Sequence, residues 1–275
     1  MPRLNEINLS SAITLLAYGA PGVGKTDLAG SAGSRSLIIT DLNGIVTLQN
    51  PSFRKRYPDC NPIIEVVKPD EDPSKATAYD QMTNIINGYL EHKLSEFDTI
   101  IIDDVDFLRS SAMNKAVTIN SNEGRSQTKT KIKNYSLVLP TMADFGTEMG
   151  LVEGFLSNLT SVCRIYQKHL IVNAHEKMIY EKNKQTKEDV LVKVIPHFTG
   201  KAAPEAISDY FDLVFRITRF GKEPSWVKKF QCHPDDKVAA KDRYSVFKTV
   251  EDNLDWPKIT KRIKDNLPAL EEPTN

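Results

Sequence analysis

The sequence predicts an α/β chain, a three-layer α/β/α sandwich on a mainly parallel central sheet. Three observations carry the prediction. Strand-like and helix-like segments alternate along most of the 275 residues, the pattern of a parallel sheet with helices on both faces. Between the first such strand and helix stands Gly19-Ala20-Pro21-Gly22-Val23-Gly24-Lys25-Thr26, which fits the phosphate-binding pattern of Gly, four residues, then Gly-Lys-Thr. Farther on, Thr99-Ile100-Ile101-Ile102-Asp103-Asp104 is an apolar run ending in acids. A buried parallel strand of that form brings its last side chains to the carboxyl edge of the sheet, where ligands collect in open α/β folds.

Taken in order, 12–18 is a buried strand and Thr26 to Ser31 opens a helix. "SLIITDL" (36–42) is a second strand, followed by a polar, Pro-containing stretch to about Ser74. Thr77-Ala78-Tyr79-Asp80 has the form of a capping box, and Met82, Ile85, Ile86, Tyr89 and Leu90 fall on one helical face behind it. A third strand covers 97–104. Met142, Phe145, Met149, Val152, Phe155, Leu156 and Leu159 mark a long amphipathic helix facing the core. "HLIVNAHE" (169–176) and "YFDLVFRIT" (210–218) are the fourth and fifth strands. The last helix runs from about Trp256 to Asn266, with Asp255 as its cap, Pro257 in its first turn, and Ile259 and Ile263 facing inward. This organisation divides into an ATPase-type core over 1–220 and a C-terminal extension, 221–275, packed on it.

Composition narrows the function classes. Lys plus Arg and Asp plus Glu each number 36, so any contact with nucleic acid must come from local patches and not from a global positive field. The apolar run near the N-terminus is interrupted by Gly19 and Pro21 before it is long enough for a signal or membrane segment. A cytoplasmic protein with no membrane association is expected. Cys60, Cys163 and Cys232 are widely spaced and odd in number, which fits reduced thiols. Cys232-His233 lacks further ligands at zinc spacing.

The loop supplies the chemistry. Gly22 and Gly24 let backbone N–H groups converge on an anion, and the helix N-terminus behind them adds partial positive charge. Residues 19–26 therefore read as an ATP-binding cradle, with Lys25 reaching the β- and γ-phosphates and the Thr26 hydroxyl ligating Mg²⁺. Asp103, at the end of what has the form of a Walker B strand, points at the same Mg²⁺. Two rivals use such a loop. "DLNG" (41–44) imitates the Asp-x-x-Gly switch of GTPases, but no Asn-Lys-x-Asp guanine reader follows. A small-molecule kinase needs a basic lid, and no arginine-rich run is visible.

With these motifs in that order, the chain resembles the RecA-like ATPases, and among them the phage-encoded single-strand-annealing ATPases of the Sak type. "HLIVNAHEK" resembles the sensor strand of that family, "FTGKAAPEAISDYFDLVFRITR" its returning turn, helix and strand, and "AAKDRY" (239–244) a tail motif of the phage group. The resemblance implies ATP binding, homo-oligomerisation as a ring or filament, and handling of single-stranded DNA in phage recombination, annealing or replication. A single-strand-binding or replication protein is a further expected partner, and the host cytoplasm the expected location. The alternative is a protein-remodelling or helicase-loading ATPase whose partner is a protein.

One departure bears on catalysis. RecA-like enzymes place a water-orienting Glu two residues after the Asp that ends the second strand, and here that place, after Asp41, holds Asn43. Asn orients a water but takes no proton, so Asp104 is the first substitute and turnover is expected to be slow. Asn173 and His175 are candidate γ-phosphate sensors, His175 with a structural role as its other reading. For DNA, Arg125, Lys129, Lys131 and Lys133 with Tyr135 form one candidate contact, and Lys182, Lys184 and Lys187 a second, which reads equally as a solvated hairpin. Lys201, Arg216 and Arg219 are candidates to reach the nucleotide of a neighbouring subunit, with surface charges as the bland reading.

Overall fold

The computed structural model describes residues 12–72, 76–124, 129–132, 135–138, 140–183, 185–200, 203–221 and 226–266. In chain order the elements are β1 (Thr14–Gly19), α1 (Lys25–Gly30), β2 (Ser36–Thr40), α2 (Leu42–Gln49), α3 (Pro51–Arg56), β3 (Ile63–Val66), α4 (Ala78–His92) and β4 (Thr99–Asp103). Then follow α5 (Val105–Asn122), β5 (Lys129–Ile132), β6 (Tyr135–Val138), α6 (Met142–Ile165), β7 (His169–Lys182), β8 (Asp189–Pro196), α7 (Ala203–Tyr210) and β9 (Leu213–Phe220). The chain closes with β10 (Val227–Gln231), β11 (Lys241–Asp242), β12 (Val250–Asp252) and α8 (Trp256–Asn266).

Among the described residues the main sheet has the order β12-β10-β9-β1-β7-β4-β2-β3, with β11 on β9 and β8 on β7. Its centre, β9-β1-β7-β4-β2-β3, is parallel throughout. Strand alternation makes two cores. Leu16, Tyr18, Leu37, Ile39, Ile100, Ile102, Leu170 and Val172 face α4, α5 and α6. Leu15, Ala17, Ile38, Ile101, Ile171 and Phe215 face α1, α3 and α8. These period-two apolar strands, buried on both faces, are what a parallel sheet under two helical layers requires. The expected three-layer α/β/α sandwich is the observed fold.

Several elements differ from expectation. The first turn of α4 has no Thr77–Asp80 box: Asp70 accepts the Thr77 and Ala78 N–H groups at 2.6 and 2.9 Å, and Asp80 pairs with Lys115. A distant carboxylate outcompetes the local one because the loop after β3 folds back over the helix start. Met142 and Phe145 are 86% and 42% exposed, so the apolar face of α6 begins later, at Met149 and Val152, and its first turns bury the carboxylates of Asp144 and Glu148 instead. β7 continues past 176 to Lys182, leaves the sheet as a ribbon and pairs antiparallel with β8. The fifth strand, β9, starts at Leu213 because Tyr210 still belongs to α7. The C-terminal residues add the antiparallel strands β10 and β12 to the same sheet. α8 matches its sequence signals: Asp255 caps the Lys258 N–H at 2.9 Å, and Ile259 and Ile263 are buried.

The tail motif 239–244 has a structural explanation. Ala239 accepts a hydrogen bond from the Tyr18 hydroxyl, Asp242 accepts from the N–H groups of Tyr244, Val246 and Phe247, and Arg243 pairs with Asp212 at 2.7 Å. No helix among the described residues is long and apolar enough to cross a membrane.

Candidate nucleotide site

The site begins at the carboxyl end of β1. Gly22 and Gly24 have φ of 76° and 100°, the left-handed region that glycine enters without strain. A Cβ on Gly19 would stand 2.3 Å from the Ile217 carbonyl oxygen, so the loop leaves β1 pressed against β9. Lys25 is the first residue of α1, and its Nζ donates to the Gly19 and Ala20 carbonyl oxygens at 2.9 and 3.0 Å. Burial lowers its pKa, and the nearby carboxylates of Asp104 and Asp103 oppose that shift.

Asp103 ends β4 and is buried. Its carboxylate accepts from Asn173 Nδ2 at 2.8 Å. Burial raises its pKa, while hydrogen bonds from Asn173 and Thr26 pull it down. The side chains of Thr26 and Asp103 thus meet, which is the donor pair a magnesium ion takes: hard oxygens few enough to leave several waters in place. Two buried polar atoms close by, Thr40 Oγ1 and Asn173 Oδ1, have no hydrogen-bond partner among the described residues. Buried polar groups are rarely left so, and both lie on residues paired in register with the site strands. The residues fit Mg²⁺.

Asp104 is the N-cap of α5 and accepts the Phe107 N–H at 3.2 Å. Strand pairing sets His175 beside Gly19. Its Nδ1 bonds Asp106, and its Nε2 lies 3.8 Å from Asp104 Oδ2. Asp106 also pairs with His197 at 3.2 Å and Arg109 at 3.0 Å, and Arg109 continues to Thr199 at 2.9 Å and to the buried Glu148 at 3.4 Å. Burial and the Arg109 charge lower the His197 pKa.

A cleft of about 560 Å³ runs over the loop, lined by residues 21–27, with Asp103, Asp104 and His175 grouped by Thr26, Arg219 at Gly22 and Lys228 at Gly24 and Asp27; Trp226 and Asn253 also line it. A phosphate cradle, a hydroxyl and carboxylate pair, and an elongated polar cleft together describe a nucleoside triphosphate site. Residues 11–244 match the family model of the AAA domain. The chain belongs to that family. No curated protein matches the sequence.

Membership makes this AAA domain a nucleotide-binding ATPase type. Not every sequence candidate enters the cleft. "DLNG" is accounted for by packing: Asp41 accepts the Gly44 N–H at 3.2 Å, and a Cβ on Gly44 would stand 2.0 Å from Thr40 Oγ1. Asn43 is in the first turn of α2. Arg216 lies in the middle of β9, not at its end, and pairs with Glu176 of its own chain at 2.9 Å. Arg219 turns into its own cleft, where Nη1 donates to the Gly22 carbonyl at 3.3 Å. Lys201, Arg125, Lys133 and Lys184 fall outside the described residues, and Lys129, Lys131 and Tyr135 are placed by the backbone of the β5–β6 hairpin. Lys182 and Lys187 are exposed at the tip of the β7–β8 ribbon.

The motifs supply no second cation beside Lys25, but the tertiary structure does. Asp27, in the first turn of α1, is buried between Arg56, at 2.7 Å, and Lys228. Arg56, Lys228 and Arg219 all line the AAA domain cleft. Sequence reading missed Arg56 and Lys228 and gave Arg219 only a role toward a neighbouring subunit; it also missed Asp106, Arg109, His197 and Thr199, which meet when the start of α5 packs against the turn after β8. The acids at 103, 104 and 106 were the one local signal for Asp106. Among the described residues the group that combines histidine with carboxylates at metal-ligand spacing is Asp104, Asp106 and His175.

Proposed function

We propose that the protein is a Mg²⁺-dependent ATPase of the RecA-like, Sak-type kind that assembles on single-stranded DNA. The observation that supports hydrolysis is the meeting of Lys25, Thr26, Asp103 and Asp104 at one end of the cleft. Lys25 holds the β- and γ-phosphates, and Thr26 and Asp103 hold the metal. Bound Mg²⁺ neutralises charge that builds between those phosphates. Asp104 accepts the proton of the attacking water through the oxygen that α5 does not use, and His175, steadied by Asp106, stands behind it. With Asn43 where a Glu is expected, and with one Asp104 oxygen committed to capping α5, basal turnover is slow.

Support for DNA comes from the two hairpins. α5 starts at the carboxyl end of β4, with Asn114 donating to Asp70 in the loop that leaves β3, and the β5–β6 hairpin follows it in the chain with Lys129 and Lys131 on β5. On the β7–β8 ribbon, Tyr180 is 53% exposed and stands two residues from Lys182, on the same strand face. An exposed ring beside cations is the pattern that stacks bases while phosphates are held. Hydrolysis measured with and without an oligonucleotide tests the proposal. Turnover should rise with single-stranded DNA, and Lys25→Ala should abolish it. Replacing Lys182 and Lys187 with Ala should weaken DNA binding and reduce its log–log salt slope by about 0.7 for each lost contact. Stimulation by a protein and not by any oligonucleotide would turn the reading to protein remodelling.

A further inference from the structure

The cleft has two chemically different sides. The side toward Asp103 carries hard oxygens and Lys25, whereas Arg219 and Trp226 lie beside Gly22 and Asn253 beside Lys228. Phosphates bound with their terminal group toward Asp103 leave the nucleoside pointing to the second side. Trp226 is 38% exposed there, and the Arg219 guanidinium carbon lies 4.5 Å from its ring centre while Nη1 reaches the Gly22 carbonyl. Arg219 therefore ties the indole to the phosphate loop. The stem of Lys228 closes the floor beside Gly24, where a Cβ would stand 3.0 Å from Lys228 Cδ, and its Nζ is fixed on the buried Asp27.

We infer that Trp226 is the stacking platform for the purine base of the bound nucleoside triphosphate, and that Arg219 is the positioning residue that aligns it from within the same subunit. The inference rests on the nucleotide reading of the cleft. An indole has enough flat area to cover a two-ring base and gains less from a single ring, and Asn253, whose Oδ1 accepts the Lys228 N–H at 3.0 Å, keeps its carboxamide N–H donors for a base edge. Arg219 is on β9 and Trp226 immediately precedes β10, which pairs antiparallel with β9, so the C-terminal part of the chain completes the nucleotide site.

Calorimetry with Mg-ATP, Mg-CTP and inorganic tripolyphosphate on the full chain tests this. Trp226→Ala should weaken ATP about tenfold, within the range of base–aromatic stacking, leave tripolyphosphate unchanged and narrow the gap between ATP and CTP. Trp226→Phe should recover most of the ATP affinity. Tryptophan emission gives an independent reading, because the other tryptophan, Trp256, is only 4% exposed in the core. ATP should quench the wild type, tripolyphosphate should not, and Trp226→Phe should abolish the quench. Equal weakening of ATP and tripolyphosphate in Trp226→Ala, or an ATP quench that survives in Trp226→Phe, would overturn the inference while leaving the ATPase reading intact. A wild type that binds neither ligand would overturn both.

Discussion

Asp103 and Asp212 are buried aspartates at opposite edges of one sheet, and their surroundings differ in kind. Asp212, at the amino edge, accepts the backbone N–H and hydroxyl of Thr14 at 3.2 and 2.8 Å and pairs with Arg164 and Arg243 at 3.1 and 2.7 Å. Every lone pair of that carboxylate is used by the fold. Asp103, at the carboxyl edge, takes hydrogen bonds from Asn173 and Thr26 and has no cation in an ion pair among the described residues. A charge buried with so little compensation costs stability. The contrast teaches where this fold keeps unspent binding capacity: a saturated carboxylate locks strands, and an undersaturated one waits for a cation.

The largest effect that tests the contrast is on turnover. Asp103→Asn should lower Mg²⁺-dependent ATP hydrolysis about 100-fold or more, since even outer-shell partners of a metal cost up to about that much, yet metal-free stability should not fall. Burial raises the Asp103 pKa above its ordinary 3.8, so the folded state holds this proton more tightly than the unfolded chain. The contribution of Asp103 to stability is then present below pH 3.8 and is lost as pH rises through the raised folded value. The stability difference between Asp103→Asn and wild type should accordingly grow in favour of the variant across that window. Melting curves over pH check it, and a variant that melts lower than wild type at neutral pH would break the comparison.

Asp212→Ala should do the reverse. Removing it takes the acceptor from the Thr14 N–H and hydroxyl and the shared carboxylate from Arg164 and Arg243, at a cost of about 2–3 kcal/mol, below the range for fully buried pairs because the two arginines are 33% and 49% exposed and keep the Tyr210 and Asp209 carbonyls. Denaturant unfolding should show that loss, while ATP affinity at a temperature where the variant is folded should match wild type. A smaller effect sharpens the role of Asp104, which is both cap and proposed base. Asp104→Ala should cost about 1 kcal/mol of stability as a lost N-cap, and Asp104→Asn almost none, because Asn caps as well. Hydrolysis should drop in both. Turnover retained by Asp104→Asn would place the base elsewhere.

Local chemistry in the sequence was enough to determine the phosphate loop, the acid that ends β4, the parallel core strands and α8 with its cap. Each depends on neighbours in the chain: glycines that free a turn, a lysine at a helix start, apolar alternation at a period of two, an Asp one residue before the helix it caps. The unexpected features depend on contacts across long separations. Asp70 captured the start of α4 from the loop of another strand, the exposed start of α6 escaped its apolar pattern, and "DLNG" became a packing solution because Thr40 lies under Gly44. The tertiary structure alone decided that Arg56, Lys228 and Arg219 converge on the cleft and that Trp226 faces the phosphate loop. No spacing rule relates a residue on α3 to one on β10; they meet because the sheet order sets β9 beside β1 and β10 beside β9, and only a folded sheet has an order.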